Sequence, residues 1–150
     1  MEITEWKKDD YLVSTDKSKI DVDAVHHFLS QSYWAEGIPK DVVHRGINNS
    51  LCFAIYHRDK LTGFARVISD FATFAYLADV FIMPEERGRG LSKWLMQLII
   101  NHPQLQGLRR FILATKDAHS LYTQFGFTPF DKPERWMQRH NPEVYKPPNP

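Results

Sequence analysis

The chain has 150 residues, 43% of them hydrophobic and 13% aromatic, which is enough for one sizeable core and short for two. A formal net charge of +1 excludes a broad basic field for nucleic acid or an anionic membrane surface, so any cationic patch has to be local. The one cysteine, Cys52, excludes an intramolecular disulfide and a thiolate metal cluster, and within the apolar run 51–56 it reads as a buried strand thiol.

The opening MEITEWKKDD has no long apolar core, and no run approaches the roughly 18 apolar residues of a membrane span. A cytoplasmic setting is the expectation. Residues 11–13 predict a short strand. Asp21 then caps a helix that carries Val22, Val25, Phe28 and Leu29 at helical spacing. Gly37 and Pro39 end it, leaving Tyr33 and Trp34 at a turn where they either line a pocket or plug the core. Residues 40–47 predict a second short helix. The β-rich runs 51–56 and 61–68, parted by His57-Arg58-Asp59-Lys60, predict a hairpin, and residues 74–82 add a third consecutive antiparallel strand.

Pro84 then turns the chain into an Arg-Gly-Arg-Gly loop at 87–90, followed by a helix with Leu91, Trp94, Leu95, Leu98 and Ile99 on one side, stopped near Asn101-His102-Pro103. A strand at 110–114, a helix at 117–125 and a strand at 127–130 complete the pattern. The order β, α, α, β, β, β, α, β, α, β implies an α/β domain with a mixed sheet. A single domain is expected, with a core over about 11–140. Residues 141–150, which include four prolines, are read as a tail that is ordered at first and frays at its end. The seven histidines form no His-x-x-x-His pair or Glu-linked zinc pattern, so no metal is expected.

A strand, a glycine loop and a helix N-terminus in sequence make an anion cradle. The first-turn N–H groups are free, the helix dipole favours negative charge, and glycine admits a ligand close to the backbone. The loop lacks the nucleotide-triphosphate pattern and has only Gly88 and Gly90 of the dinucleotide fingerprint, with Lys93 at the third place. It resembles the acetyl-CoA loop of the GNAT superfamily of N-acetyltransferases, Gln/Arg-x-x-Gly-x-Gly/Ala, here Arg87, Gly88, Arg89, Gly90, Leu91 and Ser92, with Ser at the last position. Ala118, Tyr122 and Gly126-Phe127 are similar to the family's second pattern, Ala-x-x-x-Tyr-x-x-x-Gly-Phe, with Thr115 where Asn often precedes. The resemblance covers about 11–130, with both motifs in family order.

The resemblance implies a GNAT-type α/β fold, a mixed, mostly antiparallel twisted sheet flanked by helices on both faces, and acetyl-CoA as cofactor. Arg87, Gly88, Arg89, Gly90, Leu91 and Ser92 would hold the pyrophosphate, while the backbone of Val80, Phe81 and Ile82 runs beside the pantetheine arm. Tyr122 becomes the candidate acid for the departing thiolate, since a phenol of ordinary pKa near ~10 keeps its proton at neutral pH. Its alternative role is a packed helix tyrosine. Asp79, the only charge in residues 71–83, is a candidate to bind or deprotonate the acceptor ammonium, and equally a candidate for a salt bridge to Arg66. Its setting also resembles the Glu-Asp pair of diamine acetyltransferases, but Ala78 replaces the Glu, which weakens a polyamine assignment.

The first helix pair, Tyr33 and Trp34, strand residues such as Arg66, and the C-terminal segment are the expected acceptor walls. The expected function is transfer of acetyl from acetyl-CoA to a primary amine of a small molecule or peptide, by direct attack in a ternary complex. An acyl-CoA-binding or sensing domain with little turnover is the alternative, and an interaction module without CoA is a third class. Neither nucleic acid nor membrane is an expected partner, and a homodimer is left open.

Overall fold

The computed structural model describes residues 1–147, so the last part of the Pro-rich tail, expected to fray, lies outside the described residues. In chain order the elements are β1 (Glu5–Lys8), β2 (Tyr11–Ser14), α1 (Val22–Ser30), α2 (Lys40–Asn48), β3 (Leu51–His57), β4 (Lys60–Ser69), β5 (Phe74–Ile82), α3 (Leu91–Ile100), β6 (Arg110–Leu113) and α4 (His119–Thr123). The strands lie in sequential order in one sheet, with every neighbouring pair antiparallel except β5 and β6, which run parallel. This is the mixed, mostly antiparallel sheet that the sequence implied.

Two strands differ from expectation. β1 is additional: it carries one large apolar residue, Trp6, among charged neighbours, so no periodic signal marks it, yet it pairs with β2 in register from Glu5↔Ser14 to Lys8↔Tyr11. Charged residues suit an edge strand. The strand expected at 127–130 does not form. Pro129 has no N–H to give to a ladder and restricts Thr128 before it, so the outer edge of β6 has no ladder partner among the described residues.

Local chemistry accounts for most element ends. The Asp21 side chain accepts the Ala24 N–H at 3.1 Å and caps α1. The β3–β4 hairpin turns through Arg58 and Asp59, both left-handed at φ 50 and 71, as a two-residue turn matched to strand twist requires. Asp70 accepts the N–H groups of Ala72, Thr73 and Phe74, shaping the bend into β5.

Helices cover both faces of the sheet. Phe53, Ile55, Val67 and Leu77 pack against α3, whereas Cys52, Ala54, Phe64 and Phe81 pack with Val25, Leu29, Val43 and Ile47 of α1 and α2. Because β3 is buried on both sides, it reads as a continuous apolar run rather than an alternating one. Cys52 is fully buried there, and burial pushes its thiol up to about 11, so it stays an inert packing group at neutral pH.

Strand β5 changes phase midway. Leu77 and Phe81 are an even number of residues apart, yet they belong to opposite faces. The register explains it: Phe64 pairs with Phe81 and Arg66 with Ala78, so Asp79 and Val80 together oppose Ala65 in a β-bulge. Asp79 takes the left-handed conformation, φ 56, that absorbs the extra residue. Its side chain consequently meets Arg66 and Trp34 on the α1–α2 side.

Candidate active site

The parallel pairing of β5 and β6 covers only Phe74↔Arg110 to Leu77↔Leu113. Beyond it β6 ends, while β5 runs on through residues 78–82, still paired with β4 on its other side. The two strands therefore part at the bulge. Along residues 78–82 the backbone groups facing away from β4 have no strand opposite them, and they lead directly to the 87–90 loop.

That loop has the properties of an anion cradle. Gly88 and Gly90 sit at φ 80 and 76, and a Cβ built on either meets nothing within 4 Å, so the space beside the backbone is open to a ligand. Gly90 is the N-cap of α3 and offers no side-chain cap. The first helical bond is from the Trp94 N–H to the Gly90 carbonyl, leaving the N–H groups of Leu91, Ser92 and Lys93 free among the described residues. Arg87 Nε donates to the Ile82 carbonyl at 3.1 Å, which fixes its guanidinium at the end of the open strand. These groups fit the pyrophosphate and pantetheine of acetyl-CoA: free helix N–H groups, two guanidinium groups with donors to spare, and an unpaired strand edge.

Arg89 is held by a cluster that sequence reading missed. The Glu86 carboxylate, 7% exposed, accepts from Tyr11 Oη at 2.6 Å, pairs with His57 Nδ1 at 2.8 Å and lies 3.3 Å from Arg89 Nη1. Arg89 also donates to Tyr11 Oη at 2.9 Å, and the Tyr11 ring stacks on His57 with centroids 4.3 Å apart. The hydrogen bonds from Tyr11 and then from His57 hold the Glu86 carboxyl below the usual carboxylate range. The detectable signal was a Pro-Glu-Glu turn directly before a basic glycine loop. Its partners on β2 and β3 carry no sequence mark.

On the other side of the cleft, the structure links the candidate acceptor residues into one chain of contacts. Arg66 Nε donates to Asp79 Oδ2 at 2.9 Å, and its Nη1 donates to Ser50 Oγ at 3.0 Å. Trp34 Nε1 donates to Asp79 Oδ1 at 2.9 Å. Trp34 meets Tyr33 edge-on at 5.1 Å, and Tyr33 Oη accepts the Lys116 N–H at 3.2 Å, reaching across to the segment after β6. Of the two roles left open for Asp79, the salt bridge to Arg66 is present. Trp34, 42% exposed, stands at the surface and does not plug the core.

Tyr122 sits on α4, on the α3 side of the sheet, packed edge-on against Phe127 at 6.1 Å. Burial, with Tyr33 nearby as the smaller cause, pushes its phenol up to about 12. Thr115, standing where the family often has Asn, uses its Oγ1 to accept the Ala118 N–H at 3.0 Å at the start of this helix. Tyr122 also lines a cavity of about 640 Å³ left between the unpaired edge of β6 and residues 125–131. A second cavity, of about 320 Å³, lies between α1, α2 and β4–β5, with Asp79 and Arg66 in its wall together with Arg45 and Tyr145, two residues that sequence reading did not single out.

The acetyltransferase (GNAT) family matches residues 5–127 of the chain. A Gibberella zeae protein, FG08082, provisionally described as an acetyltransferase, is 34% identical over 140 residues, covering 78% of each chain. A Xanthomonas campestris structure assigned to the GNAT family is 53% identical, with a TM-score of 0.89 over 91% of this chain and 97% of that one. A Clostridium acetobutylicum structure solved with acetyl-CoA shares the fold at 16% identity, TM-score 0.64, over 93% of this chain and 96% of that one. With a family match that takes in every strand and helix from β1 to α4, and a solved relative more than half identical, the chain belongs to the GNAT family of acetyltransferases.

Proposed function

We propose that the chain transfers acetyl from acetyl-CoA to a primary amine of a small molecule or peptide, by direct attack in a ternary complex. The observation that carries this reading is the parting of β5 from β6, which leaves one side of residues 78–82 without a strand, between the glycine cradle and the Asp79–Trp34–Tyr33 contacts.

When bound, the cofactor supplies a thioester carbonyl: the neutral amine nitrogen bonds to its carbon, the C–S bond breaks, the sulfur takes one proton, and the nitrogen releases one. The chain's own groups set the conditions for this. Arg87, Arg89 and the N–H groups of Leu91 and Ser92 hold phosphate oxygens, and the backbone of Val80, Phe81 and Ile82 offers strand-like hydrogen bonds. Tyr122, kept protonated well above neutral pH by burial, is the proton donor. Asp79 and Trp34 orient the amine. A phenol held protonated on the helix that follows β6 favours a working transferase over a sensing domain.

The test is CoA-thiol release by the purified full chain, with acetyl-CoA and a panel of amines, amino acids and peptides, together with thermal denaturation with and without CoA. Expected are a raised melting temperature with CoA, because only the native state binds it, and amine-dependent thiol release. A rise without release from any acceptor would leave a binding domain.

A further inference from the structure

We propose that the cavity between α1, α2 and β4–β5 is the acceptor subsite, and that it takes a small apolar amino carboxylate, with the amine at Asp79 and the carboxylate at Arg45. This rests on the amine-acetylating reading above and narrows its acceptor. The cavity's volume, about 320 Å³, lies at the low end for small-molecule pockets, which suits a single small ligand. Its body is apolar: Val25, Leu29, Ile47 and Phe64 in the lining are at most 2% exposed.

The polar groups in the wall are few, and their charges do not cancel. Asp79 and Arg66 neutralise each other at 2.9 Å. Arg45 lines the same cavity, is exposed, and has no carboxylate within ion-pair distance among the described residues. The wall thus carries one guanidinium without a carboxylate partner, which the carboxylate of an amino acid satisfies and a plain alkylamine or polyamine does not. A planar guanidinium is matched to a carboxylate.

The amine end follows from what Asp79 has left to give. Each of its oxygens accepts one hydrogen bond, from Arg66 or Trp34, and a carboxylate has lone pairs for more. Arg66 is held by Asp79 and by Ser50 Oγ and lies over α2, where a Cβ on Gly46 would stand 3.4 Å from its Nη1. The chain's own tail supplies the outer wall: Tyr145 lines the cavity and its backbone carbonyl lies 3.3 Å from a Cβ built on Gly37.

The experiment compares matched acceptors that differ only in the carboxylate, leucine against 3-methylbutylamine and phenylalanine against 2-phenylethylamine, with the full chain and with Arg45→Gln. With kcat/KM expressed per neutral amine, the expected result is a value at least about tenfold higher for the amino acid of each pair, carried by KM, and a ratio near unity in Arg45→Gln, restored in part by Arg45→Lys. Turnover of the decarboxylated amines at equal or higher kcat/KM overturns the inference while leaving amine acetylation standing. A preference that Arg45→Gln leaves intact overturns the assignment of Arg45. No release from any amine, in a chain that still binds CoA, overturns the amine-acetylating reading and this inference with it.

Discussion

Arg66 Nε and Asp79 Oδ2, 2.9 Å apart, join β4 to β5 at the bulge where β5 changes face and parts from β6. Both side chains are largely shielded, at 20% and 11% exposure, and the pair holds a non-glycine residue in a left-handed conformation. Such a conformation persists where its surroundings over-determine it. Asp79→Asn should destabilise the chain by about 2 kcal/mol, because Arg66 loses its charged partner, and a cycle with Arg66→Met should show coupling of about 1 kcal/mol or more in urea denaturation. Strict additivity would mean that the pair does not lock the bulge. If Asp79 also orients the amine, the acceptor KM rises in the folded variant while CoA affinity holds.

The cradle is tested at Gly90. Its Cβ direction is open, so Gly90→Val leaves the fold standing, with left-handed strain of about 1–2 kcal/mol, and puts a side chain where the pyrophosphate would lie. CoA affinity should fall at least about tenfold. Gly107→Val is the control: φ is 73 and its surroundings are equally open, but it lies before β6, away from the loop. It carries comparable strain and should leave CoA affinity unchanged. Equal losses in both variants would trace the effect to strain alone.

Tyr122→Phe keeps the ring against Phe127 and removes the proton. Turnover should drop about 10²-fold with CoA binding retained. Because burial raises the phenol to about 12, the acid stays protonated throughout an assay from roughly pH 6 to 10, so the wild-type rate should show no alkaline loss from this group over that range. The ratio of the two enzymes should accordingly be flat with pH. Wild-type turnover in the Phe variant would remove Tyr122 from the mechanism.

Glu86 makes a pH-dependent contribution through its partners. Its folded pKa is depressed, so its stabilisation is fully present above the unfolded value of about 4.3 and is lost as pH falls through the folded value. The stability difference between wild type and Glu86→Gln, about 1 kcal/mol at neutral pH, should therefore shrink toward zero on acidification. CoA affinity should also weaken in the variant, since Arg89 loses its anchor. A difference that grows at low pH would contradict the assignment.

Sequence legibility followed the range of the interaction. The bounds of β5, the Asp21 cap of α1 and the Arg58-Asp59 turn were all readable, because each depends on neighbouring residues. The two site motifs were readable for the same reason: each packs a loop and a helix into a short stretch. The bulge was not, since β5 is apolar on both faces and a phase change within such a run leaves no alternation to break; the one hint was an aspartate, a residue that tolerates the left-handed region. Glu86 was hidden because its partner Tyr11 lies 75 residues away. β1 was hidden because its pairing with β2, rather than its own composition, makes it a strand.

The divided pairing of β5 also sets where cooperativity ends. Residues 75–77 are paired into the sheet from both sides, whereas residues 78–82 have a ladder on one side alone. Native-state isotope exchange should therefore find a boundary inside a single strand, the first half opening with the global unit and the second half in a smaller, less costly fluctuation. A cofactor docked along that second half would extend the protected unit by the missing ladder, so ligand occupancy and the size of the cooperative core would rise together.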